Sequence, residues 1–264
     1  MMTPVETNGH AILAVDNGDI EFNNVYFNYE GCPVLFENLS FWIKNGKRTA
    51  IVGRSGCGKT TLAYMLLGFY YPCNGEILIN NVDIAHYSKM SIRSNIGLIA
   101  QDVLIFNASI RENILFGNEM ATDDEVIFAC EKAGLWEFIS TLPFALDTII
   151  GPNGQEISYG QKQRIGIARI YVKNPSIIIF DEATSALDDE TEMVIHRAWQ
   201  ELLNDRTVII IAHKLSSVLM SDYVVVVEDG KAVSYGSTED IVQNDVKFKE
   251  IFVIEENNNY VQEF

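Results

Sequence analysis

Gly53-Arg54-Ser55-Gly56-Cys57-Gly58-Lys59-Thr60 runs glycine, four residues, then Gly-Lys-Thr, and it separates two segments of opposite character. Residues 48–52 before it read as a short apolar strand, and residues 60–67 after it read as a helix. Glycines let successive backbone N–H groups curl around an anion, and the helix N-terminus adds its partial positive charge. Lys59 is placed to reach the β- and γ-phosphates of a nucleotide, and Thr60 to offer its hydroxyl to Mg²⁺. The candidate phosphate-binding residues are therefore Gly53, Ser55, Gly56, Cys57, Gly58, Lys59, Thr60 and Thr61. A chance match to this pattern arises in about one chain in a hundred of this length. The strand-and-helix context lowers that further. Cys57 stands at the helix N-terminus, where partial positive charge favours an ionised thiol; the alternative is a small loop residue with no special reactivity.

Working outward, Ile177-Ile178-Ile179-Phe180-Asp181-Glu182 is an apolar strand that ends in two carboxylates. Such a strand delivers Asp181 to the sheet edge, where it can support Mg²⁺ through water, and Glu182 to a position for polarising an attacking water. Alone, an Asp-Glu pair after a strand is more often a cap or a solvated turn; beside a phosphate loop the functional reading prevails. Residues 207–212 form another apolar strand and deliver His213 to a place suited to sensing a γ-phosphate.

Upstream, Ile20 and Phe22 and then Val25, Phe27 and Tyr29 alternate as a strand. Further strands are expected at 39–43, 48–52, 75–79, 96–100, 177–181, 207–212 and 223–228. The 207–212 and 223–228 runs are nearly continuous in apolar residues, which suits a sheet covered on both faces. Residues 109–170 change to helical character, with Asp123-Asp124 as a candidate cap and a helix over 160–172. Residues 1–18 read as a tail or linker. The pattern is a parallel-sheet core interrupted by a helical insertion.

Composition sets outer limits. The chain has 264 residues, enough for one large α/β domain or two small ones. Its formal net charge is −17, so it repels phosphate backbones and anionic lipid, and non-specific nucleic-acid binding is not expected. A bound nucleotide must then be held by a local device such as the 53–60 loop. No apolar run approaches membrane-spanning length, and no secretory leader is evident. The four cysteines show neither metal-ligand spacing nor a disulfide framework, which fits a reducing compartment.

Taken together, these motifs resemble the nucleotide-binding domain of ATP-binding cassette (ABC) transporters over residues 19–255. They occur in that family's order: Tyr29, the 53–60 loop, Gln101, Ile157-Ser158-Tyr159-Gly160-Gln161, Asp181-Glu182, Ser185-Ala186-Leu187-Asp188 and His213. The resemblance implies an α/β P-loop NTPase core with a mostly parallel sheet, an antiparallel β subdomain and an inserted α-helical subdomain. Residues 1–18 would be a linker from a transmembrane domain, and 19–264 the nucleotide-binding domain, with its core at 19–101 and 171–256 and its helical subdomain at about 102–170. ATP and Mg²⁺ are the implied ligands. Tyr29 would stack on adenine, while Thr60, Gln101 and Asp181 would hold the metal. Lys59, Gln101, Glu182 and His213 would form the catalytic set. Ser158, Gly160 and Gln161 would contact ATP held by a second copy in a head-to-tail homodimer, with Asp188 in the loop crossing that interface.

Two departures stand out. Ile157 and Tyr159 replace the Leu and the first Gly of the usual Leu-Ser-Gly-Gly-Gln signature. Gly151-Pro152-Asn153-Gly154 replaces a turn that usually carries Glu. A side chain with a Cβ disfavours left-handed backbone by roughly 1–2 kcal/mol, so Tyr159 is expected right-handed or extended, its ring at the dimer surface. The segments 96–106 and 109–114 look like the exporter type, most similar to bacterial peptide, bacteriocin or lipid-type half-transporters. In such proteins the cassette sits on the cytoplasmic side of the inner (plasma) membrane, joined to a transmembrane domain of the same full-length chain that selects the cargo, with an antibacterial peptide as the candidate cargo the resemblance suggests. The alternative is a soluble ABC ATPase acting without a membrane domain. Such proteins usually carry long insertions, tandem cassettes or basic surfaces. A regulatory module that binds without hydrolysing is disfavoured by the joint presence of Glu182 and His213.

Overall fold

The structure is a computed structural model and describes residues 9, 11–13, 19–181, 202 and 206–259. The chain begins with β1 (Ile20–Asn28), β2 (Val34–Ile43), β3 (Arg48–Val52), α1 (Lys59–Leu66), β4 (Asn74–Ile79), β5 (Val82–Asp83), α2 (Lys89–Asn95) and β6 (Ile96–Ile99). Next come β7 (Ala108–Ser109), α3 (Ile110–Leu115), α4 (Asp123–Lys132), α5 (Trp136–Ser140), β8 (Ile149–Ile150), α6 (Tyr159–Lys173) and β9 (Ile177–Asp181). After them stand β10 (Thr207–Ile211), α7 (Leu215–Val218), β11 (Tyr223–Glu228), β12 (Lys231–Ser237), α8 (Thr238–Asn244) and α9 (Val246–Asn259). The fold divides into two compact units, Met1–Ile96 with Asp205–Phe264, and Gly97–Asn204.

The first unit carries two sheet arrangements. One is antiparallel, in the order β2-β1-β4-β5. In the other, β3 lies between β10 and β11, parallel to both, and β12 closes the edge antiparallel to β11. Every residue of β10 is buried, as are Val224 to Val227 of β11, so a continuous apolar run is what each position requires. In β1, the buried set is Ile20 and Phe22, then Val25 and Phe27. The alternation skips a beat because the register with both neighbours shifts after Phe22 and Asn23, and Asn24 takes a left-handed φ of 48°. The bulge keeps all four apolar side chains on the core face, where Phe22 stacks on Phe41 at 4.5 Å.

Residues 11–13 are tied into this unit. Ala11 bridges to Tyr87, Leu13 N–H donates to Ser91 Oγ at 2.6 Å, and Asn95 Nδ2 donates to Leu13 O at 2.9 Å. Leu13 is fully buried.

The second unit sets β9 beside β6 and packs α3 and α4 against α6. β7 and β8 pair with each other as a two-stranded sheet, and Ile150 of β8 also bridges to Gln155. Three of its helices open with reciprocal capping boxes, Ser109 with Glu112, Thr122 with Glu125, and Ser158 with Gln161. Thr122, not Asp123-Asp124, therefore caps α4; the two aspartates fill its first turn, where they complement the helix dipole. Among the described residues no helix is long and apolar enough to cross a membrane.

Candidate nucleotide site

β3 is buried from Thr49 to Val52 and brings Gly53 to its end inside the first unit. The loop then turns, with Cys57 N–H donating to Arg54 O at 3.2 Å, and α1 begins at Lys59. Gly58 precedes it at φ 101°, and a Cβ there would meet the Phe36 ring at 2.6 Å, so glycine is required twice over. Because Gly58 has no side chain, α1 has no side-chain cap. Its first-turn N–H groups are thus left to an outside acceptor, and an anion suits them.

Lys59 is 5% exposed. Its Nζ donates to Gly53 O at 2.6 Å and Arg54 O at 3.2 Å, both neutral carbonyls of its own loop. Among the described residues no carboxylate is paired with it. A buried ammonium held only by carbonyl dipoles is incompletely compensated. The cradle therefore fits a phosphate, which would supply the missing negative charge. Thr60 is exposed beside it, while Thr61 is buried.

Thr61 Oγ1 and Tyr29 Oη share a hydrogen bond of 2.8 Å. Tyr29 follows β1 directly, and its ring meets Phe27 edge-on at 5.0 Å and Tyr70 edge-on at 5.2 Å. Two ring contacts and one hydroxyl thus fix the plane of a half-buried tyrosine beside the phosphate loop. Tyr70 was not singled out in the sequence, because the run Phe69-Tyr70-Tyr71 in a connecting segment carries no periodic signal.

The expectation for Cys57 is corrected. Burial pushes its thiol pKa up, and this outweighs the opposing pull of Lys59 and of the backbone N–H groups. Desolvation wins over the helix end, so the thiol stays protonated at neutral pH. Alkylation of Cys57 by iodoacetamide at pH 7.5 is accordingly expected to run about tenfold or more slower than that of exposed Cys32, and to accelerate as pH rises. Peptide mass spectrometry over a pH series measures both; equal rates at the two sites would refute it.

In the second unit, Gln101 is exposed two residues after β6. Its carbonyl accepts from Tyr159 Oη at 2.7 Å and from Gln163 Nε2 at 2.5 Å. Ser158 is the N-cap of α6; its Oγ accepts the Gln161 N–H at 3.2 Å, and Gln161 Oε1 accepts the Ser158 N–H at 2.8 Å. Gln161 is thereby a capping side chain in this structure. Tyr159 is the first helical residue with a right-handed backbone, as expected; it is half-buried, and its hydroxyl turns to Gln101. Gln163, 1% exposed, was missed in the sequence, although its place four residues after Tyr159 puts both on one helix face. Asp181 ends β9 half-buried, and His213 lies half-buried two residues beyond β10 in the first unit. Glu182, Asp188 and the rest of the 185–188 motif lie outside the described residues.

Comparison with known proteins follows the same lines. A family model described as ABC transporter matches residues 36–185. The Escherichia coli alpha-hemolysin translocation ATP-binding protein HlyB is 44% identical over 242 residues, covering 91% of this chain and 34% of that protein. The ATM1-type heavy metal exporter of Novosphingobium aromaticivorans is 42% identical over 240 residues, 91% of this chain and 40% of that protein. A solved bacterial Atm1-family ABC exporter with ATP bound matches at a TM-score of 0.88 and 39% identity, over 96% of this chain and 45% of that one. The chain spans less than half the length of each.

Proposed function

Because the chain belongs to the ABC transporter family, we propose that it is an ATP-binding and ATP-hydrolysing domain that drives export through a membrane domain of the same full-length protein. The observation that carries this is Lys59, a buried cation whose partners among the described residues are carbonyls, at the uncapped start of α1. In this reading Lys59 and the loop N–H groups hold the ATP phosphates and Tyr29 stacks on adenine. Thr60, Gln101 and Asp181 are the residues that would hold Mg²⁺, which when bound neutralises charge on the phosphate oxygens. Glu182 takes the proton of the attacking water, and His213 contacts the γ-phosphate. Ser158 and Gly160 reach the ATP of a second copy, which makes the working unit a head-to-tail homodimer with Asp188 at its interface. The Ser158 hydroxyl, although accepting from Gln161, keeps a proton to donate. Gln161 would act through the cap it makes. The cassette would then stand at the cytosolic face of the membrane.

The named relatives include one for alpha-hemolysin translocation at 44% identity and one for heavy metal export at 42%. Such near-equal likeness supports a reading in which cargo selection lies outside the cassette. Export of a polypeptide is our reading from the alpha-hemolysin and leukotoxin translocation relatives. The direct test is steady-state release of inorganic phosphate from ATP by the 264-residue chain. Release that saturates in ATP and stops with EDTA is expected; tight ATP binding without release would make the chain a regulatory module instead.

A further inference from the structure

The loop that follows β6 is fastened along one face of α6. Tyr159 Oη and Gln163 Nε2 both donate to Gln101 O, and Gln163 Nε2 also lies 3.1 Å from Tyr159 Oη. One turn on, a Cβ on Gly166 would meet Val103 Cγ2 at 2.9 Å, so the loop lies directly on the helix. Another turn on, Arg169 Nη1 donates to Leu104 O at 2.8 Å. Positions 159, 163, 166 and 169 are spaced by four, three and three, one stripe of a helix. Of the other rungs, Gln163 is a buried side chain, Arg169 a large one, and Gly166 a close approach of the Val103 side chain. The topmost, the Tyr159 hydroxyl, comes from one of the two residues that depart from the family signature.

We infer that Tyr159 is a positioning residue for Gln101: its hydroxyl latches the Gln101 carbonyl to the first turn of α6. The loop carrying Gln101 and the helix end carrying Ser158 and Gly160 then respond as one body. The consequence for activity rests on the function proposed above, in which Gln101 serves the ATP of its own loop and Ser158 that of the partner. A displacement of Gln101 at one nucleotide is passed through Tyr159 to the serine at the other. The latch thus couples the two sites of a dimer. Gln163 holds the same carbonyl, but from a buried position that does not depend on the signature turn.

The test uses the 264-residue chain and Tyr159→Phe, which keeps the ring and removes only the hydroxyl. ATP turnover is expected to fall about three- to tenfold, the worth of one hydrogen bond, at unchanged KM because the phosphate loop is untouched. The Hill coefficient for ATP should move toward one. Backbone hydrogen exchange over residues 101–104 should quicken, with exchange over 165–170 and the thermal midpoint unchanged. Parental turnover and parental exchange at 101–104 would overturn the inference. A fall in midpoint with faster exchange throughout α6 would also overturn it, in favour of a purely structural ring. Gln101→Ala separates the two readings. Parental activity in that variant removes Gln101 from the reaction, whereas exchange at 101–104 in Tyr159→Phe still reports on the latch itself.

Discussion

Glu182→Gln is expected to bind ATP like the parent and to release phosphate about 10²–10⁴-fold more slowly, equal to about 3–5 kcal/mol of barrier. The substitution keeps size and hydrogen-bonding capacity and removes only the charge that accepts a proton from water. Nothing in the phosphate cradle changes, since Lys59, Gly58 and the uncapped first turn of α1 belong to a separate segment. Undiminished binding is therefore as much part of the expected result as lost turnover. With ATP no longer consumed, two copies should remain joined through Ser158 and Gly160. Size exclusion with MgATP should then show a dimer for Glu182→Gln and mostly monomer for the parent. Undiminished turnover would remove Glu182 from the mechanism. Binding without turnover and without dimer would point instead to the signature turn around Tyr159.

The phosphate loop was legible because its constraints are local. Gly58 is needed for its own φ and for its distance to Phe36, and both requirements fall on a fixed spacing from Lys59. The longer core strands were legible for a similar reason, as alternation in β1 and as continuous apolar runs in β10 and β11, whereas β5, β7, β8 and β12 were not. Even the skipped beat between Phe22 and Val25 was visible, although its cause, a bulge at Asn23 and Asn24, needed the neighbouring strands. What could not be read were effects that depend on which groups desolvate one another. Cys57 sits where a helix end favours thiolate, yet burial decides its protonation. Gln163 and Tyr159 were separable only as helix positions, and their shared acceptor lies about sixty residues upstream in sequence. Long-range polar partners leave no periodic trace.

Lys59→Ala tests the other half of the chemistry and is expected to weaken ATP binding about 10- to 100-fold, the loss of one or two charge-assisted hydrogen bonds to phosphate. Its effect on folding should be small by comparison. The ammonium is buried, so its removal ends a desolvation cost at the same time as it leaves Gly53 O and Arg54 O without their donor. These terms oppose each other, and the thermal midpoint without nucleotide should stay near that of the parent. Lys59→Arg should not rescue binding. A planar guanidinium needs room for five donors, whereas the pocket places a single Nζ 2.6 Å from Gly53 O. Calorimetric titration with ATP distinguishes the cases. Parental affinity in Lys59→Ala would mean that the buried cation is a loop brace, and the phosphate reading would fail with it. Weakened affinity at an unchanged midpoint, with monomers under all nucleotide conditions, would show that the charge left uncompensated in the protein alone is the charge that ATP supplies.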